Sequence, residues 1–182
     1  YYRPTEDDPR SRCGGYFSVR RITEKLTVSA MSREKEVPLI WLIAGEPSGD
    51  LIGARLIVAL RERSGGNVRI AGIGGEAMLE EGLESLFPIS DIAVMGLIEI
   101  IPRVPLIKRR MRETISRIES DRPDIVVSID VPGFCYDIWK GLRGSDIPLV
   151  HYVAPTVWAW RPDRAKKFAA ELDYLMTLLP FE

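Results

Sequence analysis

At 182 residues, with a formal net charge of -1 and a sequence pI near 6.0, the chain has room for one well-cored domain but not two of ordinary size, and it offers no overall positive field for nucleic acid. Its two cysteines, Cys13 and Cys135, argue against a disulfide framework, and its single histidine, His151, argues against a histidine-based metal site. No apolar run reaches the roughly 18 to 20 residues that span a bilayer.

The first thirty residues are charged, aperiodic and without the apolar stretch of a signal peptide. Met31 opens a short polar leader, SREKEVP, directly before the first apolar run, so Met31 reads as the biological start and residues 1–30 as an upstream over-reading. Residues 1–36 are expected to be a disordered or non-native leader. Leu39 to Ala44 (LIWLIA) predicts a strand that runs into Gly45-Glu46-Pro47-Ser48-Gly49-Asp50 and then a helix from about Leu51 to Arg63, with Asp50 as its N-cap. This turn is neither GxGxxG nor a Walker loop. It fits a plain capped strand-to-helix turn as well as an anion site made of backbone N–H groups.

Val68 to Ala71 predicts a second strand, followed by Gly72-Ile73-Gly74-Gly75 and a short helix over Glu76 to Glu81 that Gly82 ends. Leu86-Phe87 reads as a short third strand. The alternation predicts a doubly wound parallel sheet. From Ile92 to Ile107, eleven of sixteen residues are apolar, and Lys108-Arg109-Arg110 follow at once. Pro102 and Pro105 should break any single helix there, leaving an amphipathic covering helix from Val104 to Ser120. Apolar residues followed by cations suit a surface that rests on a membrane, with Ile92, Val94, Met95, Leu97, Ile98, Ile101, Lys108, Arg109 and Arg110 as its contacts. A helix packed on the sheet with solvated arginines behind it explains the composition equally simply.

The stretch from Pro123 to Trp160 organises the rest. Ile125 to Ile129 is a β-branched run broken only by Ser128, the pattern of a strand covered on both faces, so Asp130 falls at its carboxyl end. A helix follows, and Leu149 to Val153 repeats the strand pattern and delivers His151. In open parallel sheets the carboxyl edge lines the ligand crevice, which makes Asp130 and His151 the two candidates for proton transfer. Trp158 and Trp160 form an apolar wall for a substrate chain or pack against the sheet. Pro162 and Asp163 suit the first turn of a helix over Ala165 to Leu172, and Leu175 to Leu179 reads as a buried strand. A domain seldom ends just after such a strand, so the chain reads as part of a longer protein.

Five blocks occur in one order: Ala44 to Asp50 (AGEPSGD); Gly72 to Gly75 (GIGG) with Met78 and Gly82; Ala93 to Glu99 (AVMGLIE); Ser128 to Phe134 (SIDVPGF); and His151 to Arg161 (HYVAPTVWAWR). Together they resemble the lipid-A-disaccharide synthase family, from about Leu39 onward. The resemblance implies the N-terminal Rossmann-like α/β domain (residues 37–182) of an inverting GT-B glycosyltransferase, ending before the C-terminal domain that holds most of the nucleotide sugar. It implies transfer from UDP-2,3-diacylglucosamine to 2,3-diacylglucosamine 1-phosphate at the cytoplasmic face of the inner membrane of Gram-negative bacteria, with peripheral membrane contact and a homodimer at full length. No cofactor or metal is implied, and this portion alone is expected to turn over little or no substrate.

Asp130 matches the family position assigned as general base. His151 is the fallback, because an imidazole near ~6.5 is better poised than an aspartate near ~3.9. The Glu46 to Asp50 turn, with Glu46, Ser48, Gly49 and Asp50, resembles a substrate-cleft element of the family, and Trp158, Trp160 and Arg161 are taken as further candidate substrate contacts. The rival expectations are another GT-B transferase with a lipid acceptor, or a non-catalytic Rossmann-like domain that binds a nucleotide or a membrane.

Overall fold

The computed structural model describes residues 37–93, 97–153, 167–168 and 170–177. Its centre is strand β1, Leu39–Ala44, whose side chains alternate between two apolar cores: Trp41 and Ile43 enter one, Leu42 and Ala44 the other. Only a strand covered on both faces can bury such an unbroken apolar run. β1 pairs in parallel with β2 (Arg69–Ile73) on one side and with β3 (Ile125–Ile129) on the other. β4 (Leu149–Tyr152) and β5 (Tyr174–Met176) continue the sheet in the order β2-β1-β3-β4-β5.

Helix α1 (Pro47–Ser64) and the short α2 (Glu76–Glu80) cover one face through Ile57 and Met78. The long α3 (Leu97–Asp121) and α4 (Pro132–Gly141) cover the other through Ile118, Phe134, Ile138 and Trp139. The result is a doubly wound Rossmann-like sheet, and Val37–Glu182 cluster as one compact unit. Asp121, at the end of α3, accepts a hydrogen bond from the Trp41 indole at 3.0 Å, which ties that helix to β1.

Four expectations change. α1 starts at Pro47, not Leu51, because proline suits the first helical position and Glu46 is the actual N-cap residue. The Leu86-Phe87 strand is absent: Ser85 makes a single bridge to Gly72, and its hydroxyl accepts from the Gly74 amide and donates to the Phe87 carbonyl, occupying groups a strand would use. Pro102 and Pro105 sit inside a continuous α3. Each removes one ladder bond, and the helix is held through them by the packing of Ile107, Met111, Ile115 and Ile118 on the core. The last strand, expected to be buried, is a partly exposed edge, with Leu175 and Met176 open to solvent. Of the predicted Ala165 to Leu172 helix, residues 167 and 168 are helical but 170–172 are turn and irregular chain; 165, 166 and 169 lie outside the described residues.

Gly72 lets β2 approach β1. Its φ is 150°, and a Cβ there would lie 1.9 Å from the Leu42 carbonyl oxygen. Backbone cannot move aside as a side chain does. Gly72→Ala is therefore expected to cost about 2 to 3 kcal/mol or more, read as a lowered urea midpoint with unchanged slope.

Candidate functional site

The register of β1 against β3 sets Ala44 opposite Ile129, so the chain leaves the sheet at Gly45 and at Asp130 side by side. From β1 the connection runs outward to β2; the next strand, β3, lies on β1's other flank. This is a topological switch point, the place where open parallel sheets form a crevice. The Gly45 turn and the Asp130 turn touch: a Cβ on Gly45 would fall 2.7 Å from Val131 Cγ2.

Asp130 and Val131 both have left-handed backbone, with φ of 55° and 48°. For a β-branched residue such as Val131 this is unusual, and each such residue costs about 1 to 3 kcal/mol. The Asp130 amide extends the ladder by donating to the Tyr152 carbonyl at 3.3 Å, and the Cys135 amide in α4 donates to the Val131 carbonyl at 3.2 Å. The Asp130 carboxylate is half-buried. Oδ1 accepts from the Val131 amide at 3.0 Å and Oδ2 from the Ser48 hydroxyl at 3.2 Å, leaving each oxygen a further lone pair toward the crevice. Glu46, Pro47 and Ser48 are exposed beside it, while Gly49 is buried against the Ile129 carbonyl.

Asp50 turns the other way. It is buried, and its carboxylate accepts hydrogen bonds from the amides of Gly75 (2.7 Å), Ala77 (3.0 Å) and Met78 (3.1 Å). It caps α2 instead of α1 and has its back to the crevice. No sequence spacing signals this, because the capped helix begins 26 residues after the cap.

His151 lies one layer below the crevice. It is fully buried opposite Ser128, and its Nδ1 is 2.8 Å from the Ser128 hydroxyl. That hydroxyl donates to the Val150 carbonyl at 3.1 Å and accepts from the Trp139 indole at 3.2 Å. A hydroxyl has one proton, so Nδ1 carries the hydrogen and Nε2 is a bare acceptor; Nε2 has no partner among the described residues. Trp139 stacks edge-on to the imidazole at 5.0 Å. Burial is the main cause that lowers the His151 pKa to about 4, against a smaller upward pull from Asp130. Burial likewise pushes the Cys135 thiol up.

The apolar and basic segment divides. Ile92 belongs to the core under α3, not to the surface. Arg110 is held inward by Glu113 (2.7 Å) and Asp91 (2.6 Å), with its guanidinium 4.7 Å over the Phe87 ring; Glu113 and then Asp91 raise its pKa further. Ile101, 74% exposed, and Val104, 36%, face outward, and Lys108 and Arg109 are exposed farther along α3. Leu97 and Ile98 lie in the first turn of that helix. Val94, Met95, Trp158, Trp160 and Arg161 lie outside the described residues. Among the described residues, no helix is long and apolar enough to cross a membrane.

Fold and crevice together define an α/β domain of the Rossmann-like class. Two crystal structures of UDP-N-acetylglucosamine 2-epimerases share it. One is a putative enzyme from Listeria monocytogenes, with TM-score 0.53 at 13% identity over 79% of this chain and 39% of that one. The other has TM-score 0.54 at 10% identity over 78% and 42%. At such identities the likeness speaks for the fold alone. Sequence is more specific: the family model for lipid-A-disaccharide synthetase matches residues 40–182. Lipid-A-disaccharide synthases from Rhodospirillum centenum and Paramagnetospirillum magneticum are 56% and 58% identical over 146 residues, 79% of this chain in each case. The chain belongs to the lipid-A-disaccharide synthase family. It spans 36% and 37% of the length of those two relatives.

The buried imidazole makes a pH prediction. His151 has a folded pKa of about 4 against ~6.5 unfolded, so above pH 6.5 it is neutral in both states and has no effect. Below that, the unfolded chain takes up the proton first, and stability falls as pH drops from ~6.5 toward 4, by roughly 3 kcal/mol. Urea unfolding across this range should show a steeper loss for the wild type than for His151→Gln; equal slopes would contradict the buried neutral state.

Proposed function

We propose that this chain is the acceptor-side part of an inverting GT-B glycosyltransferase. At full length it transfers 2,3-diacylglucosamine from its UDP donor to 2,3-diacylglucosamine 1-phosphate, giving the β-1,6 lipid A disaccharide 1-phosphate and UDP. The observation that carries this reading is the Asp130 carboxylate at the switch-point crevice of a chain that belongs to this family. An acceptor hydroxyl entering beside Ser48 donates its proton to Asp130 while its oxygen attacks the anomeric carbon. The new carbon–oxygen bond forms as the bond to the diphosphate breaks on the opposite face, and UDP leaves with the electron pair. Ser48 and the Val131 amide hold the carboxylate in place through this step. His151 takes no part in proton transfer, since its ring is closed off from the crevice.

The donor is held mainly by residues beyond this chain, so turnover belongs to the full-length protein. There, Asp130→Asn should lower turnover by about 10²- to 10⁴-fold with UDP binding unchanged, assayed with both lipid substrates in detergent micelles. Unchanged turnover would remove Asp130 as the base. A folded full-length wild type that forms no disaccharide would remove the reading itself.

The exposed start of α3 is read as the membrane contact, with Ile101 and Val104 entering the interface and Lys108 and Arg109 meeting anionic headgroups. Each cation near such a surface contributes about 1 kcal/mol, so Lys108→Gln with Arg109→Gln should weaken binding to phosphatidylglycerol vesicles by about 10-fold or more. Arg110→Gln should instead lower thermal stability, because it breaks an internal ion pair.

A further inference from the structure

We infer that Ser128 is a positioning residue whose hydroxyl, clasping the Trp139 indole across Asp130 and Val131, holds the Asp130 carboxylate in its left-handed turn. This deepens the proposed function, since it rests on Asp130 being the base. The Trp139 Nε1 to Ser128 Oγ bond closes the segment from 128 to 139, and two of the four left-handed non-glycine residues among those described, Asp130 and Val131, lie within it. One end of the clasp is two residues before Asp130 in β3; the other is on the inner face of α4, whose N-cap residue is Val131. The same hydroxyl is stapled to β4 through the Val150 carbonyl and the His151 ring, and the Asp130 amide is bonded to that strand one step farther along.

Every hydrogen-bonding capacity of the Ser128 oxygen is thus used inward: one proton donated, two lone pairs accepting. It is fully buried, so it acts on the crevice only through its neighbours. An apolar trio could fill the space among β3, β4 and α4, but it would lack direction; a fully used hydroxyl permits one arrangement of strand, strand and helix. Displacement of that node would let Asp130 and Val131 relax to ordinary backbone, and the carboxylate would leave the position it shares with Ser48.

The test uses the full-length protein with Trp139→Phe, which keeps an aromatic ring and deletes the N–H, and with Ser128→Ala and Ser128→Thr. Two readouts are taken: steady-state kinetics with both lipid substrates, and the amide-to-Hα couplings of Asp130 and Val131 by NMR, read together with the intraresidue amide-to-Hα NOE, which is strong only for positive φ. Trp139→Phe and Ser128→Ala are expected to lower kcat by about 10-fold or more, with both KM values held within about two-fold, and to shift the couplings away from left-handed values. Ser128→Thr should restore both. Unchanged kcat in folded Trp139→Phe overturns the inference, and so does a loss of kcat with unchanged couplings. If Ser128→Ala does not fold, Trp139→Phe decides. An inactive wild type would count against the proposed function, whereas the couplings would still judge the clasp.

Discussion

The pairing of β1 with β3 is the constraint on which the rest depends. One register, Ala44 opposite Ile129, makes both strands end at the same height, and their exits form one crevice instead of two separate turns. Slipping that register by one residue would turn every side chain of a strand to the other face. Trp41 and Ile43 would then exchange cores with Leu42 and Ala44, so the two-faced apolar packing and the placement of Asp130 are fixed by the same set of contacts.

Against this apolar background, two features run counter to local preference, and they lie within a few residues of each other. Asp130 and Val131 adopt backbone that neither favours, and Ser128, His151 and Trp139 bring polar groups into a core that hydrocarbon could fill. A polar group left unpaired in such a place costs about 1 to 3 kcal/mol, so Ser128 must satisfy all its neighbours at once, and it does. The His151 Nε2 lone pair is the exception among the described residues. The strain lies at the carboxyl end of the sheet, at Asp130 and Val131 past β3 and at Val153 past β4.

The sheet was legible in the sequence because β-branched runs such as Ile125 to Ile129 are hard to bury in any other way. The height of Asp130 followed directly, since a side chain just past a strand can only be at its edge. Depth was not legible. His151 seemed equivalent to Asp130 by strand pattern, but the register sets it opposite Ser128 and below the rim. Asp50 looked like a local cap because its partners, Gly75 to Met78, are distant in sequence and adjacent only once α1 and α2 pack together. Likewise Arg110 read as one member of a basic cluster, and only the fold reveals Asp91 and Phe87 beneath it. The signal that could have found Ser128 was present: a hydroxyl breaking an apolar strand asks what satisfies it.

Asp50 also bears on which anions the carboxyl edge can take. The glycine-rich turn after β2 has the form of a phosphate cradle, yet its amides already hold a carboxylate from the neighbouring helix, and the Gly74 amide is held by Ser85. A tethered carboxylate competes at an effective concentration on the order of millimolar or above and never diffuses away. Free phosphate or a diphosphate would have to displace a permanent tenant. The fold thus spends the donors at one of its two glycine-bearing turns on its own side chains, and that turn is occupied from within.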